Sequence, residues 1–126
     1  MKGSRLLLDT HVLIWWDSGE GLPAEGIRAI QDAAQVYVSA VTGWEIAIKT
    51  ALGRLETTRS VSDVVAESGF EELPIRLRHA RLTGTLPSHH RDPFDRMLVA
   101  QAMDEGLTLV TRDGALRAYA VPQLLV

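Results

Sequence analysis

Apolar residues along this chain come in short blocks whose period alternates between strand-like runs and helix-like spacing. Arg5 to Leu8 ends at Asp9, which predicts a buried strand delivering its last residue to a loop or helix start. Val12, Leu13, Ile14, Trp15 and Trp16 suit a short helix that Gly19, Gly21 and Pro23 break. Pro23 is placed to begin a second helix in which Ile27, Ile30 and Ala34 share one face, and Val36 to Ser39 predicts a second strand. Thr42 with Glu45 three residues later has the pattern of a capping box, heading a helix that contains Trp44, Ile46, Ile48 and Leu52 and closes near Gly53.

Further on, Val61 to Ser68 reads as a helix entered at Ser60, Glu71 to Leu73 as a strand before Pro74, and Arg76 to Leu82 as a short helix. Gly84 to Asp92, with Pro87 and two histidines, is a loop. Asp92-Pro93-Phe94-Asp95 then has an N-cap acid, proline at the first helical position and an acid at the third, ahead of Met97, Leu98, Ala102 and the stop at Gly106. Leu107 to Thr111 predicts a strand followed by Asp113-Gly114, and Val121 to Val126 a final edge strand. Strands alternating with helices predict an α/β sandwich around a mostly parallel sheet. With no repeat, low-complexity tract or linker, residues 1–126 are expected to form one domain.

Composition narrows the class. A content of 46% hydrophobic and 23% charged residues excludes a disordered or fibrous chain. The lack of cysteine excludes a disulfide framework, a thiolate zinc site and a thiol nucleophile, so any metal must be held by oxygen or imidazole. Three apolar residues before Asp9 are too few for a signal-peptide core or a membrane span, and the expected location is the cytoplasm, with no membrane partner. The net charge of −3 lacks the basic excess that bulk attraction to nucleic acid requires. Between Arg76 and Arg96, however, Arg76, Arg78, Arg81, Arg91 and Arg96 face only Asp92 and Asp95, which makes this window +3 and leaves −6 for the rest. It is a candidate track for phosphates, or equally a solvated face or protein-binding surface.

The candidate chemistry lies in four acids, Asp9, Glu45, Asp95 and Asp113. In open parallel sheets the ligand crevice lies beyond the carboxyl ends of the strands. Asp9 and Asp113 follow predicted strands, and Asp95 and Glu45 fall in the first turns of predicted helices. Singly, each has a local explanation: Asp9 as an N-cap, Glu45 as the partner of Thr42, Asp95 as a complement to the helix dipole, Asp113 as the start of an Asp-Gly turn. Together at one sheet end they would repel one another unless a cation neutralised them. Hard Mg²⁺ or Mn²⁺ suits such oxygen donors, and phosphodiester hydrolysis follows, with one or two ions. Asp92 is expected to serve as a helix cap. Thr10 and Thr111 are candidates to orient carboxylates, and His11, His89 and His90 to bind metal or move protons. Trp15, Trp16 and Trp44 serve either as base-stacking groups or as core, and Lys49 either pairs with Glu45 one turn away or faces phosphate.

The segments Leu6 to His11, Ser39 to Lys49, Arg91 to Ala102 and Leu109 to Asp113, in that order, resemble the PIN-domain ribonucleases and, more narrowly, the VapC toxins of type II toxin–antitoxin systems. The resemblance runs from Leu6 to about Leu116. It implies a PIN-like α/β/α sandwich and places Asp9, Glu45, Asp95 and Asp113 on the family's acidic metal-binding positions. Also implied are Mg²⁺ or Mn²⁺ as cofactor, RNA as substrate, a homodimer and a cognate antitoxin. Two other readings compete: a PIN-like interaction module without catalysis, and a phosphatase of the haloacid dehalogenase type. The latter resembles Asp-x-Asp after its first strand, where this chain has His11.

Overall fold

A computed structural model describes residues 3–57 and 59–126; Met1 and Lys2, at the start of the expected domain, and Thr58 lie outside the described residues. Along the chain run β1 (Arg5–Leu8), α1 (Thr10–Ser18), α2 (Ala24–Asp32), β2 (Gln35–Ser39), α3 (Ala40–Ala51), α4 (Val61–Ser68), β3 (Glu71–Leu73), α5 (Leu77–Thr83), α6 (Pro93–Glu105), β4 (Thr108–Thr111), a 3-10 helix (Gly114–Ala118) and β5 (Gln123–Leu125). The strands form one sheet in the order β3-β2-β1-β4-β5, and every pairing is parallel.

Burial on both faces explains why β1 is a continuous apolar run. Leu6 and Leu8 point into a core with Val12, Leu13, Ile30 and Val64, from α1, α2 and α4. Leu7 points the other way, into a core with Leu98, Val99 and Ala102 of α6. All three leucines are fully buried, each contributing about 1.5–3 kcal/mol by removal from water. Helices therefore cover both sides of the sheet, placed there by the crossover connections that parallel strands need.

Strand order also fixes where a ligand can enter. The chain leaves β1 for β2 on one side and returns to β4 on the other, so the order reverses between β1 and β4. Beyond the carboxyl ends of two such strands the following segments diverge and leave a crevice. Asp9 and Asp113 follow these two strands, and the Asp9 N–H donates to the Val110 carbonyl at 3.0 Å, extending the ladder to the crevice floor.

Two local expectations are corrected. The capping box at Thr42 and Glu45 does not form. Ser39 already caps α3 by accepting the Val41 N–H, so the helix begins earlier and Glu45 lies in its second turn. Pro23 is the cap of α2 rather than its first residue, and α2 ends before Ala34, whose N–H donates to the Ser4 carbonyl on entry to β2. Asp113-Gly114 opens a turn as expected, the Asp113 carbonyl accepting the Leu116 N–H at 3.2 Å, and the Asp113 carboxylate accepts the Ala115 N–H and caps the 3-10 helix. The caps at Asp9, Ser60 and Asp92 form as expected, as do the left-handed glycines Gly19 and Gly106 that end α1 and α6.

Candidate active site

An open cleft of about 470 Å³ lies at the reversal point, lined by Asp9, His11, Trp15, His90, Asp92, Asp95, Arg112 and Asp113. Three of the four expected acids are in its wall. Asp9 arrives at the end of β1 and caps α1, its Oδ1 accepting the Val12 N–H at 2.9 Å. Asp95 is held in the first turn of α6, where Asp92 Oδ1 accepts the N–H groups of Phe94 and Asp95. Asp113 follows β4, its own N–H donating to the Thr111 hydroxyl at 3.0 Å.

Glu45 is 4% exposed and is not among the lining residues. Its Oε1 accepts from the Thr10 hydroxyl at 2.7 Å and its Oε2 pairs with Lys49 at 2.7 Å, so Lys49 makes the simple intrahelical ion pair. Thr42, freed from capping, sits beside Thr10 with the hydroxyls 3.2 Å apart.

Electrostatics mark Asp95 out. Burial pushes its carboxyl up to about 7; Asp92 adds to the rise, His90 opposes it, and Asp9 and Glu45 reinforce it. Burial likewise raises Asp9 above the ordinary carboxylate range, against the opposing pull of Thr111 and the Val12 N–H. Acids that resist ionisation through burial and, to a lesser extent, one another's charge form a site that a cation relieves. The donors available are carboxylate oxygens, the set that hard divalent ions prefer. Residues present thus fit a cation at this cleft: Asp95 and Asp113 each bring a carboxylate oxygen within 4.8 Å of the other, with the His90 ring beside them.

A second group with that spacing, His79, Asp104 and Glu105, has a different character. The His79 Nδ1 accepts the Arg76 N–H at 3.0 Å, so its proton is on Nε2, which lies 3.2 Å from Asp104 Oδ2 without a hydrogen bond to it. Arg78 neutralises both acids, at 2.6 Å from Asp104 and 3.0 Å from Glu105. This cluster fastens α5 to α6.

The arginine-rich window does not form a single track. Arg78 is committed to that fastening, and Arg96 points inward, donating to the carbonyls of Thr83, Leu86, Pro87 and His90 and to the Tyr119 hydroxyl. Arg76, Arg81 and Arg91 remain exposed. Of the aromatic candidates, Trp16 donates to Ser68 and packs on Phe70, while Trp44 is 59% exposed with Phe94 against its ring. Trp15 lines the cleft under Arg112, whose guanidinium lies 4.0 Å from the ring centre and bonds the carbonyls of Gly21 and Val126. Sequence reasoning missed Arg112, for which adjacency to Thr111 and Asp113 was the only signal. It also gave His90 no more weight than His11 and His89, of which His89 packs on Tyr119 outside the lining.

Comparisons with known proteins agree with this fold. The chain is 29% identical to "Ribonuclease VapC22" of Mycobacterium tuberculosis, with 94% of each chain covered. Its fold is shared with VapBC2 from Rickettsia felis, solved bound to a promoter DNA fragment, at a TM-score of 0.72 and 12% identity over 97% of this chain and 98% of that one. It is also shared with VapBC-5 of Mycobacterium tuberculosis, a member of the VapBC family of toxin–antitoxin systems, at 0.62 and 20% identity over 98% and 99%. Residues 6–122 match the family model of the PIN domain, and the chain belongs to that family.

Proposed function

We propose that this chain is a metal-dependent endoribonuclease and the toxin of a type II toxin–antitoxin pair. The observation that carries the reading is the meeting of Asp9, Asp95 and Asp113 in one cleft at the reversal point, with the Asp95 carboxyl pushed up to about 7. RNA as substrate is supported by the similarity to a ribonuclease, and an antitoxin partner by the VapBC likenesses.

In this reading Asp9, Asp95 and Asp113 hold Mg²⁺ or Mn²⁺, and Glu45 adds negative charge from behind the wall. An ion held there would supply positive charge at the scissile phosphate and make the attacking water easier to deprotonate. Asp95 would be one of the ion's ligands as the ionised carboxylate, its proton released to solvent. Arg112, fixed on Trp15, and the exposed Arg91 offer positive charge to neighbouring phosphates, which sets the RNA in register without reading its bases. A water oxygen bonds to phosphorus as the opposite P–O bond breaks, the water losing a proton to solvent and the departing ribose oxygen taking one up. The two core clusters share one sheet, which supports residues 1–126 as one domain. A cytoplasmic homodimer completes the proposal; exposed Trp44, Leu52 and Leu77 are apolar surface available to a second copy or the antitoxin.

The test is cleavage of single-stranded RNA by the purified protein, with Mg²⁺ or Mn²⁺ and with chelator, alongside Asp9→Asn and Asp95→Asn. Cation-dependent cleavage lost in both variants supports the proposal. Equal cleavage by the variants at matched purity and thermal stability sinks it, and no cation binding at millimolar concentration favours the non-catalytic interaction module.

A further inference from the structure

His90 sits among the acids with its ring nitrogen Nε2 3.0 Å from Asp113 Oδ2 and 3.5 Å from Asp95 Oδ2. Such spacing suits a metal ligand as well as a hydrogen-bond donor. The other side of the ring decides between them. Nδ1 accepts the backbone N–H of Asp92 at 3.0 Å, and a nitrogen that accepts has no proton of its own. The ring proton is therefore on Nε2, aimed at the carboxylates. A metal bond through Nε2 would need that proton moved to Nδ1, facing the Asp92 N–H, which would then lose its acceptor.

We infer that His90 is a positioning residue for the cation site, donating Nε2–H to Asp113, and not itself a ligand. This rests on the metal-dependent reading above. The Asp113 carboxylate is held at both oxygens: Oδ1 accepts the Ala115 N–H at 2.9 Å and Oδ2 accepts from His90. Each carboxylate oxygen has a second lone pair, so both remain able to face a cation while the group's rotation is fixed. The loop is built to keep the imidazole in place. The His90 N–H donates to the Tyr119 hydroxyl at 3.0 Å, and Arg96 bonds that hydroxyl and the His90 carbonyl together with three earlier carbonyls of the loop and α5. Orienting partners of this kind typically contribute 10–100-fold to metal affinity.

Calorimetry with Mg²⁺, Mn²⁺ and Ni²⁺, without RNA, tests this on the intact protein, His90→Ala and His90→Gln, each checked by thermal unfolding. A positioning role predicts that His90→Ala weakens all three ions by a common factor, on the order of tenfold, and that His90→Gln, which keeps a terminal N–H donor, recovers most of it. A loss concentrated in Ni²⁺, which favours imidazole far more than Mg²⁺ does, or unchanged affinities, overturns the inference and leaves the nuclease reading standing. No binding of any ion by the unsubstituted protein overturns both. A readout independent of the variants is the ¹⁵N spectrum of the His90 ring: Nε2 protonated with and without Mg²⁺ supports positioning, and loss of that proton on adding Mg²⁺ overturns it.

Discussion

The Thr10 hydroxyl donates to Glu45 Oε1 at 2.7 Å in a buried contact between the first residue of α1 and the second turn of α3. Glu45 is thereby held next to the cleft by a partner distant in sequence, while Lys49 pairs with its other oxygen. Removing the donor leaves a buried carboxylate oxygen unsatisfied, at a cost of about 1–3 kcal/mol. Thr10→Val is expected to lower the unfolding temperature by several degrees, and Thr10→Ser to restore most of it, measured by calorimetry.

Asp9 has two separable jobs. As N-cap it accepts the Val12 N–H, which asparagine does equally well, and as a cleft carboxylate it supplies charge, which asparagine does not. Asp9→Asn should stay within about 1 kcal/mol of the parent in stability, yet lose cleavage by a factor on the order of 100 or more. Asp9→Ala should lose the cap as well, by about 1 kcal/mol. Urea unfolding and RNA cleavage read the two effects apart.

Asp95 sets a pH dependence. Its carboxyl is raised from 3.8 to about 7 in the folded protein, so between these values the folded chain holds more protons than the unfolded one. Stability in chelator should therefore fall as pH rises through that window, by at most about 4 kcal/mol from this group. It should be regained as pH returns toward 4. Asp95→Asn should flatten this part of the profile and melt higher than the parent near pH 8. Because cation and proton compete for the same carboxylate, Mg²⁺ affinity of the parent should rise with pH through about 7.

Arg96 is a structural group despite its charge. Its two terminal nitrogens reach four carbonyls and the Tyr119 hydroxyl, a fork that lysine does not reproduce. Arg96→Lys should destabilise by about 2–3 kcal/mol and lower cation affinity through the displaced His90 loop. Equilibrium denaturation and calorimetry check the two parts.

Element types were legible because they depend on neighbours in sequence. Asp92-Pro93 opens α6 and Gly106 closes it through contacts within a turn, and the apolar run at Leu6 to Leu8 reports burial on both sheet faces whatever the helices above it. One failure came where two residues of one type competed for a role. Ser39 and Thr42 both suit an N-cap, and only the direction of β2 into α3 selected Ser39 and released Thr42 toward Thr10.

By itself, the sequence determined the alternation of strands and helices, the acids that follow β1 and β4, and the cap that sets Asp95 in a first turn, since each is written in local patterns of a few residues. Only the tertiary structure decided that β1 and β4 lie side by side, so that Asp9, Asp95 and Asp113 face one cleft, that Glu45 stands behind it, and that His90 and Arg96 serve it. The physical reason is range. Caps and periodicity act over one turn, whereas carboxylate repulsion, desolvation and the tautomer of an imidazole depend on groups that only folding brings together.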